Sequence, residues 1–212
     1  MIYDLDGVLL DTEPFYTEAT QEVVSEFGKT FDWTIKRNMI GRPSLESARY
    51  LVEALALPIS AEEYLRRRSV RLEELFLRAV EIAGAERFTR KAHSLGVRQA
   101  VGTSSERRLF ELKTRRHREW FAIFDAVVSG DDASVKAGKP APDIFLVAAA
   151  ALGADARECL VFEDSPAGLE AARRAGMQVV AVPDPAMERA RFDTADMIIE
   201  NFDDLEPGDL GL

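Results

Sequence analysis

Six short apolar segments recur along the chain, and most of them lead through a polar or glycine-containing turn into a helical pattern. The segments are "MIY" (1–3), "RQAVG" (98–102), "DAVVS" (125–129), "CLVF" (159–162), "QVVAV" (178–182) and "DMIIE" (196–200). They are apolar throughout rather than alternating, which is typical of strands covered on both faces. With helices between them, they predict an α/β fold built on a Rossmann-like parallel sheet.

The stretch between the first two segments contains about ninety residues and no convincing strand. It carries four helical patterns, whereas a connection between parallel strands needs only one helix. The economical interpretation is an all-helical domain inserted directly after the first strand. We therefore predict an α/β core made of residues 1–13 and 81–212, with a helical insert at 14–80.

Composition narrows the range of partners. The 212 residues carry a net charge of −10, which would repel the phosphates of a nucleic acid. The one dense basic run, "KTRRHREW" (113–120), is interpreted as a solvated face or a local loop anchor. No apolar run is long enough to span a membrane. The single cysteine, Cys159, is typical of a buried, inert thiol and favours a cytoplasmic protein. No heptad repeat marks an interface, so we expect a monomer or a weak homodimer.

Polar side chains follow three of the predicted strands at the point where each strand ends. In a parallel sheet these ends meet at one edge, which is where ligands bind. The residues in question are Asp4 and Asp6, then Thr103, then Glu163 and Asp164. Lys139, which stands in "GKPAPDIF" ahead of a predicted helix, is expected at the same edge.

Two helix starts are also predicted there. The sequence "TSSE" (103–106) has the form of a capping box, and a helix beginning at it would suit a phosphate. Ser165 and Pro166 have the pattern of an N-cap and a first helical residue, and Gly176 that of the terminator.

This collection of carboxylates, a hydroxyl and a lysine suits phosphoryl transfer. Carboxylates that crowd together repel one another unless a cation lies among them, and an all-oxygen site suits Mg²⁺. A metal on one side of an anionic group and Lys139 on the other would form an electrostatic clamp. Asp4 could then attack as a nucleophile to form an aspartyl-phosphate, with Asp6 as general acid and base. Gly7 would let the chain turn close to the phosphate.

These residues resemble the four motifs of the haloacid dehalogenase superfamily of aspartate-nucleophile hydrolases. "DLDGVLLDTE" looks like the first motif, the Thr103 strand end the second, Lys139 in "GKPAPDIF" the third and "EDSPAG" the fourth. A helical cap inserted directly after the first motif is the arrangement of the β-phosphoglucomutase-like subfamily. Outside the motifs, "CLVFEDSPAGLEAARRAGMQVVAVPD" resembles the pseudouridine-5′-phosphatases and related small-molecule phosphatases.

The resemblance implies a role for each motif residue. It implies that Mg²⁺ is held by Asp4 through its side chain, Asp6 through its backbone carbonyl, Asp164, and Glu163 as a ligand or as a partner of the ligands. It implies that the transferring phosphate is bound by Thr103, the Ser104 amide and Lys139. The helical cap would close over the substrate and select the leaving group.

The insert departs from β-phosphoglucomutase at two positions. A cap arginine of that enzyme falls on or beside Ser44, and a cap histidine falls on Tyr16. Arg42 is a candidate substitute and therefore a candidate substrate contact, although this segment could equally be an ordinary helix start with Ser44 as its N-cap.

The predicted function is Mg²⁺-dependent hydrolysis of a small phosphomonoester, a nucleoside, polyol or sugar monophosphate, with pseudouridine-5′-phosphate favoured. The alternatives are a sugar-phosphate mutase and a non-enzymatic phosphate-binding or interaction protein.

Overall fold

Short strands and helices alternate along the chain in a computed structural model that describes residues 1–39, 44–203 and 205–210. The strands are β1 (Ile2–Tyr3), β2 (Leu10–Asp11), β3 (Val80–Glu81), β4 (Ala100–Gly102), β5 (Ala126–Val128), β6 (Leu160–Glu163), β7 (Gln178–Ala181) and β8 (Met197–Ile198). The α-helices are α1 (Glu13–Ser25), α2 (Trp33–Lys36), α3 (Ser44–Ala54), α4 (Ala61–Phe76), α5 (Ala85–Ser94), α6 (Arg107–Lys113), α7 (Arg118–Phe121), α8 (Asp143–Leu152) and α9 (Pro166–Arg174).

Six of the strands form one parallel sheet in the order β5-β4-β1-β6-β7-β8. The first strand is central, because Ile2 pairs in parallel register with Ala100 of β4 on one side and with Val161 of β6 on the other. The predicted α/β fold with a parallel sheet is therefore confirmed.

Both faces of the sheet are covered, which explains why the strands are apolar throughout. Ile2 belongs to a buried cluster with Phe145 of α8 and Leu169 of α9. Tyr3, the next residue, points to the opposite face because side chains alternate along a strand. There its ring stacks on Phe162 with centroids 4.9 Å apart.

A second, antiparallel pair of strands was missed by the sequence prediction. Leu10 of β2 pairs with Glu81 of β3, and Asp11 pairs with Val80. Two-residue strands are too short to show a periodic pattern, so the long helical stretch hid them.

The described chain divides into two compact units, Met1–Asp11 with Ala79–Leu212, and Thr12–Arg78. The second unit contains α1 to α4, which pack around Val24, Leu51 and Tyr64. The hydroxyl groups of Thr20 and Tyr64 lie 2.9 Å apart inside it. In the part of the chain that the structure describes, no helix combines the length and the apolar character needed to cross a membrane.

The two predicted helix starts have different outcomes. Ser165 caps α9 as predicted, because its side chain accepts a hydrogen bond from the Gly168 amide at 3.0 Å. The capping box at 103–106 is wrong, since α6 begins only at Arg107 and its N-cap, Glu106, makes no side-chain capping bond. The Ser105 hydroxyl instead donates to a carboxylate of another strand end.

Candidate active site

Three neighbouring strands bring the predicted site residues to one edge of the sheet. Because β1 lies between β4 and β6 and all three are parallel, the residues that follow them lie at the same carboxyl edge. The Asp4 amide donates to the Phe162 carbonyl oxygen at 2.9 Å, which extends the pairing of β1 with β6 as far as the acid. The sheet itself therefore fixes Asp4.

The Lys139 ammonium links two buried carboxylates. Its Nζ donates to Asp4 Oδ1 and to Glu163 Oε1, and all three side chains are less than a tenth exposed. Burial lowers the pKa of Lys139, but the charges of Asp4 and Glu163 outweigh it and raise that pKa above its ordinary value. Lys139 is therefore a fixed positive charge in the site.

The start of α9 holds the Glu163 carboxylate in place. Glu163 Oε2 accepts from the Ser165 amide at 2.8 Å and from the Ser165 hydroxyl at 3.0 Å. A Cβ on Gly168 would lie 1.7 Å from Glu163 Oε1, so only glycine leaves room for this carboxylate. Both oxygens of Glu163 are thus engaged, one by α9 and one by Lys139.

Gly7 permits the close approach of the remaining acid. Its φ of +78° is in the left-handed region, and a Cβ there would lie 2.3 Å from Asp164 Oδ2. The sequence predicted a close approach of Gly7 to a phosphate, and the structure adds an approach to a carboxylate. The Asp164 carboxylate itself accepts no hydrogen bond from any of the described residues.

The carboxylates of Asp4, Glu163 and Asp164 form a cluster that fits a cation. Each offers an oxygen, and these oxygens lie within 4.8 Å of one another. Burial and the neighbouring carboxylates raise the pKa of Asp4 to about 7, although Lys139 opposes the shift. Burial, followed by the charges of Glu163 and Asp4, raises the pKa of Asp164 well above its usual range. A divalent cation would relieve this repulsion, and an all-oxygen donor set suits a hard cation.

Asp6 lies beside this cluster and is held by a lysine that the sequence interpretation placed in solvent. Lys113 Nζ is 2.7 Å from both oxygens of the Asp6 carboxylate and 2.8 Å from Ser105 Oγ. The Lys113 side chain is completely buried, whereas that of Asp6 is 27% exposed. The interpretation of the basic run as a solvated face is therefore wrong for Lys113.

Thr103 and Ser104 follow β4 at the same edge. Thr103 is buried, its amide donates to the Val128 carbonyl oxygen at 3.0 Å, and its Oγ1 accepts from the Ser105 amide at 3.1 Å. Ser104 is packed closely against the end of β5, because a Cβ on Gly130 would lie 2.4 Å from the Ser104 carbonyl oxygen. This turn thus connects the Thr103 position to the Asp6 position through Ser105.

The candidate residues of the helical insert have a different outcome. Arg42 lies outside the described residues. Ser44 is the first residue of α3, is exposed, and accepts a 3.4 Å hydrogen bond from Arg68 Nη2.

Sequence reasoning missed Lys113 and Ser105, but a signal for the lysine is present. Phe110 is buried, and residues three apart on a helix share a face. Lys113 therefore lies on the buried face of α6 at the helix end, where a positive charge is favoured. The segment "FELK" (110–113) therefore contains enough information to predict a lysine on the buried face of this helix.

The chain is similar to known proteins over most or all of its length. A family model described as haloacid dehalogenase-like hydrolase matches residues 1–176. A Drosophila melanogaster protein named "Probable pseudouridine-5'-phosphatase" is 44% identical over all of this chain and 93% of its own length. The Arabidopsis thaliana "(DL)-glycerol-3-phosphatase 2" is 43% identical over all of this chain and 90% of its own length.

The chain is also similar to a solved structure over its whole length. The crystal structure of CbbY from Rhodobacter sphaeroides in complex with phosphate is 25% identical, with a TM-score of 0.78, and the match covers 100% of this chain and 98% of that one.

Proposed function

The chain belongs to the haloacid dehalogenase-like hydrolases and is a phosphatase of that family, and we propose that it is a Mg²⁺-dependent phosphomonoesterase that works through an aspartyl-phosphate. The observation that carries this proposal is the contact of Lys139 with both Asp4 and Glu163, beside Asp164 and Asp6. It combines a nucleophile, a fixed positive charge and an acidic cation site at one sheet edge.

The first chemical step uses Asp4 and Asp6. One carboxylate oxygen of Asp4 attacks phosphorus as the bond between phosphorus and the ester oxygen breaks. The departing alcohol oxygen takes a proton from Asp6, so the alcohol leaves neutral. The result is a phosphoryl group on Asp4 and an ionised Asp6.

The second step regenerates both residues. Asp6 removes a proton from a water molecule, whose oxygen attacks the same phosphorus. The bond between phosphorus and the Asp4 oxygen breaks, inorganic phosphate is released, and Asp6 is again protonated. A carboxylate that alternates between acid and base in this way must be accessible, and Asp6 is the more exposed member of its ion pair.

The groups around Asp4 would neutralise the negative charge of the transferring phosphoryl group. Mg²⁺ would be held by Asp4, Asp164 and the Asp6 backbone carbonyl. Glu163 would be a further ligand or a partner of the ligands, since both of its oxygens already accept hydrogen bonds. When bound, Mg²⁺ would offset the negative charge of the transferring phosphoryl group. Thr103, the Ser104 amide and Lys139 would bind the phosphoryl oxygens, so that the charge is balanced from two sides.

The helical unit would act as a cap that selects the alcohol part of the substrate. It contains a pocket of about 300 Å³, which is at the small end of ligand sites. The pocket combines the rings of Tyr16 and Phe31 and the side chain of Met39 with polar and charged groups. These groups include Thr17, Arg68 and the ion pair of Lys36 with Glu13. A lining of this kind favours an alcohol that carries a ring and acceptor atoms, as in a nucleoside monophosphate, over a three-carbon polyol.

One basic residue of this pocket is left available for a ligand. Arg68 has no carboxylate partner among the described residues, and its buried Nε has no hydrogen-bond partner there. Its guanidinium lies over the rings of Tyr16 and Tyr64, at 5.7 and 5.4 Å from their centroids. A guanidinium that lies over two aromatic rings and has an unpartnered Nε is suited to a carbonyl or other oxygen acceptor.

The test is phosphate release from pseudouridine-5′-phosphate, other nucleoside monophosphates, glycerol-3-phosphate, flavin mononucleotide and hexose phosphates, with Mg²⁺ or with EDTA. We expect metal-dependent release, fastest with a ring-bearing monoester, and none with Asp4→Asn. Equal release in EDTA would contradict the metal proposal. Interconversion of glucose phosphates without net release would indicate a mutase instead.

A further inference from the structure

A completely buried lysine lies directly behind the proposed general acid and base. The Lys113 side chain is 0% exposed, and its ammonium contacts both oxygens of the Asp6 carboxylate at 2.7 Å. A buried charge is tolerated in a protein interior only when it is paired and hydrogen-bonded. The proposed function has no chemical step for Lys113, so its position requires another explanation.

Ser105 completes a three-membered contact with this pair. Its hydroxyl lies 2.8 Å from Lys113 Nζ and donates to Asp6 Oδ2 at 3.0 Å. Ser105 is itself fixed, because its amide donates to Thr103 Oγ1 and its carbonyl oxygen accepts from the Gly130 amide at 2.9 Å. The Asp6 carboxylate is therefore held at both oxygens by Lys113 and at one of them by Ser105, whose backbone is bonded to the sheet edge.

The exposures distinguish the roles of the two charged residues. Asp6 retains an accessible side while Lys113 has none, so Lys113 cannot itself reach a substrate. We infer that Lys113, supported by Ser105, is a positioning residue that fixes the plane of the Asp6 carboxylate for proton transfer to the leaving alcohol. This inference rests on the proposed function, in which Asp6 supplies that proton.

The orientation of a general acid decides whether its proton is directed at the leaving oxygen. A displacement of about 1 Å in such a group can lower the rate about 100-fold. A contact to both carboxylate oxygens restricts rotation about the last side-chain bond, which a single hydrogen bond would not do. Without Lys113, the Asp6 carboxylate would lose this restriction and would turn toward other donors or toward water.

The test is Lys113→Met, which retains the length of the side chain and removes the ammonium. We expect kcat for an alkyl phosphate to fall about 10- to 100-fold, with KM changed less than threefold. For p-nitrophenyl phosphate, whose leaving group needs little protonation, the single-turnover rate of Asp4 phosphorylation should fall less than threefold. A residue with only a structural role would lower both rates alike, and that outcome would overturn the inference.

A double-mutant cycle with Asp6→Asn adds a second readout. If Lys113 acts through Asp6, then Lys113→Met should have little further effect on the alkyl phosphate rate in the Asp6→Asn background. An equal loss in both backgrounds would contradict the inference. Lys136→Met is the matched control, because Lys136 is exposed and contacts a loop carbonyl, and it should behave like the parent chain.

Ser105→Ala keeps the inference testable if Lys113→Met does not fold. It removes one hydroxyl, and we expect the same selective loss on the alkyl phosphate, smaller in size and absent in the Asp6→Asn background. An alkyl phosphate rate unchanged by Ser105→Ala would then count against the inference. A wild-type chain without Asp4-dependent turnover would instead refute the proposed function, so the two failures are distinguishable.

Discussion

Asp4 is buried among charges in a way that makes its protonated form unusually stable. Burial, Glu163 and Asp6 all raise its pKa, and only Lys139 opposes them, so that the pKa is about 7. The chain therefore accepts a neutral side chain at this position more readily than an ordinary carboxylate site would.

We expect Asp4→Asn to lower turnover about 1,000-fold or more, because a neutral amide would replace the carboxylate proposed as the nucleophile. The midpoint of thermal unfolding should change by only a few degrees, since Lys139 retains Glu163 as its partner. Turnover and calorimetry check the two parts. A variant that unfolds at room temperature, or one that keeps parent-like turnover, would contradict the role given to Asp4.

Metal binding should depend on pH through the same residue. The unfolded chain loses the Asp4 proton near its ordinary pKa of 3.8, whereas the folded chain holds it to about pH 7. The folded state binds more protons between these values, so this group lowers the stability of the metal-free protein as pH rises through that window. Mg²⁺ bound at the proposed site would have to displace this proton, so its affinity should rise with pH.

The measurement is the increase of the unfolding temperature caused by Mg²⁺ at pH 5.5 and at pH 8. We expect a larger increase at pH 8, and in Asp4→Asn a much smaller difference between the two pH values. An increase that is the same at both pH values in the parent chain would contradict this linkage.

The start of α9 is the element on which the acidic cluster depends most directly. Ser165 caps the helix, and its amide and hydroxyl both donate hydrogen bonds to the Glu163 carboxylate. The helix start and the carboxylate are therefore fixed together. Gly168, in the first turn of this helix, is required because a larger side chain would overlap the Glu163 carboxylate. Its backbone does not require glycine, because its φ is not in the left-handed region.

We expect Gly168→Ala to destabilise the fold by about 1–3 kcal/mol, since the new methyl group would overlap the Glu163 carboxylate. Activity should fall as well, because Lys139 would lose a partner. Denaturant unfolding and phosphate release measure these effects. Gly208→Ala is the control, since a Cβ there meets nothing within 4 Å; equal effects of both substitutions would refute the explanation.

Helix α4 carries four arginines, and three of them form ion pairs. Arg66 and Arg67 contact Glu63, and Arg71 contacts Glu22. Arg68 is the exception among the described residues of this helix, and it lies in the pocket. The difference separates arginines that support the helix surface from one that is suited to a ligand.

We expect Arg68→Met to raise KM about tenfold for a ring-bearing monoester, equivalent to about 1.4 kcal/mol of binding. For glycerol-3-phosphate the change should be less than threefold, because a short polyol carries no ring and few acceptor atoms for a guanidinium to bind. Steady-state kinetics of both substrates check this. Arg66→Met serves as the control, since it removes an exposed ion pair and should leave both KM values unchanged.

For the molecule as a whole, the sequence predicts what depends on local pattern. An apolar run such as "CLVF" (159–162) predicts a strand that is buried on both faces. The order of the strands then brings Asp4, Thr103 and Glu163 to one edge of the sheet. The cap of α9 is equally local, because Ser165 and Gly168 are three residues apart.

The features that escaped prediction are those that depend on distant partners. Lys113 is buried because a carboxylate 107 residues earlier in the chain accepts its charge, and no local pattern contains that information. The serines of "TSSE" have the composition of a helix start, but one of them serves Asp6 instead. β2 and β3 pair across about seventy residues, so neither is recognisable alone.

The central position of β1 has a consequence for how the enzyme comes into being. Ile2 and Tyr3 pair with strands about 100 and 160 residues further along, whereas the contacts that define the helical unit lie within Thr12–Arg78. Pairings across such distances form slowly, because a long loop must be closed first. On the ribosome, Asp4, the proposed nucleophile, is synthesised well before β6 but is set in place only after Phe162 has emerged. An incomplete nascent chain therefore carries Asp4 without being able to use it.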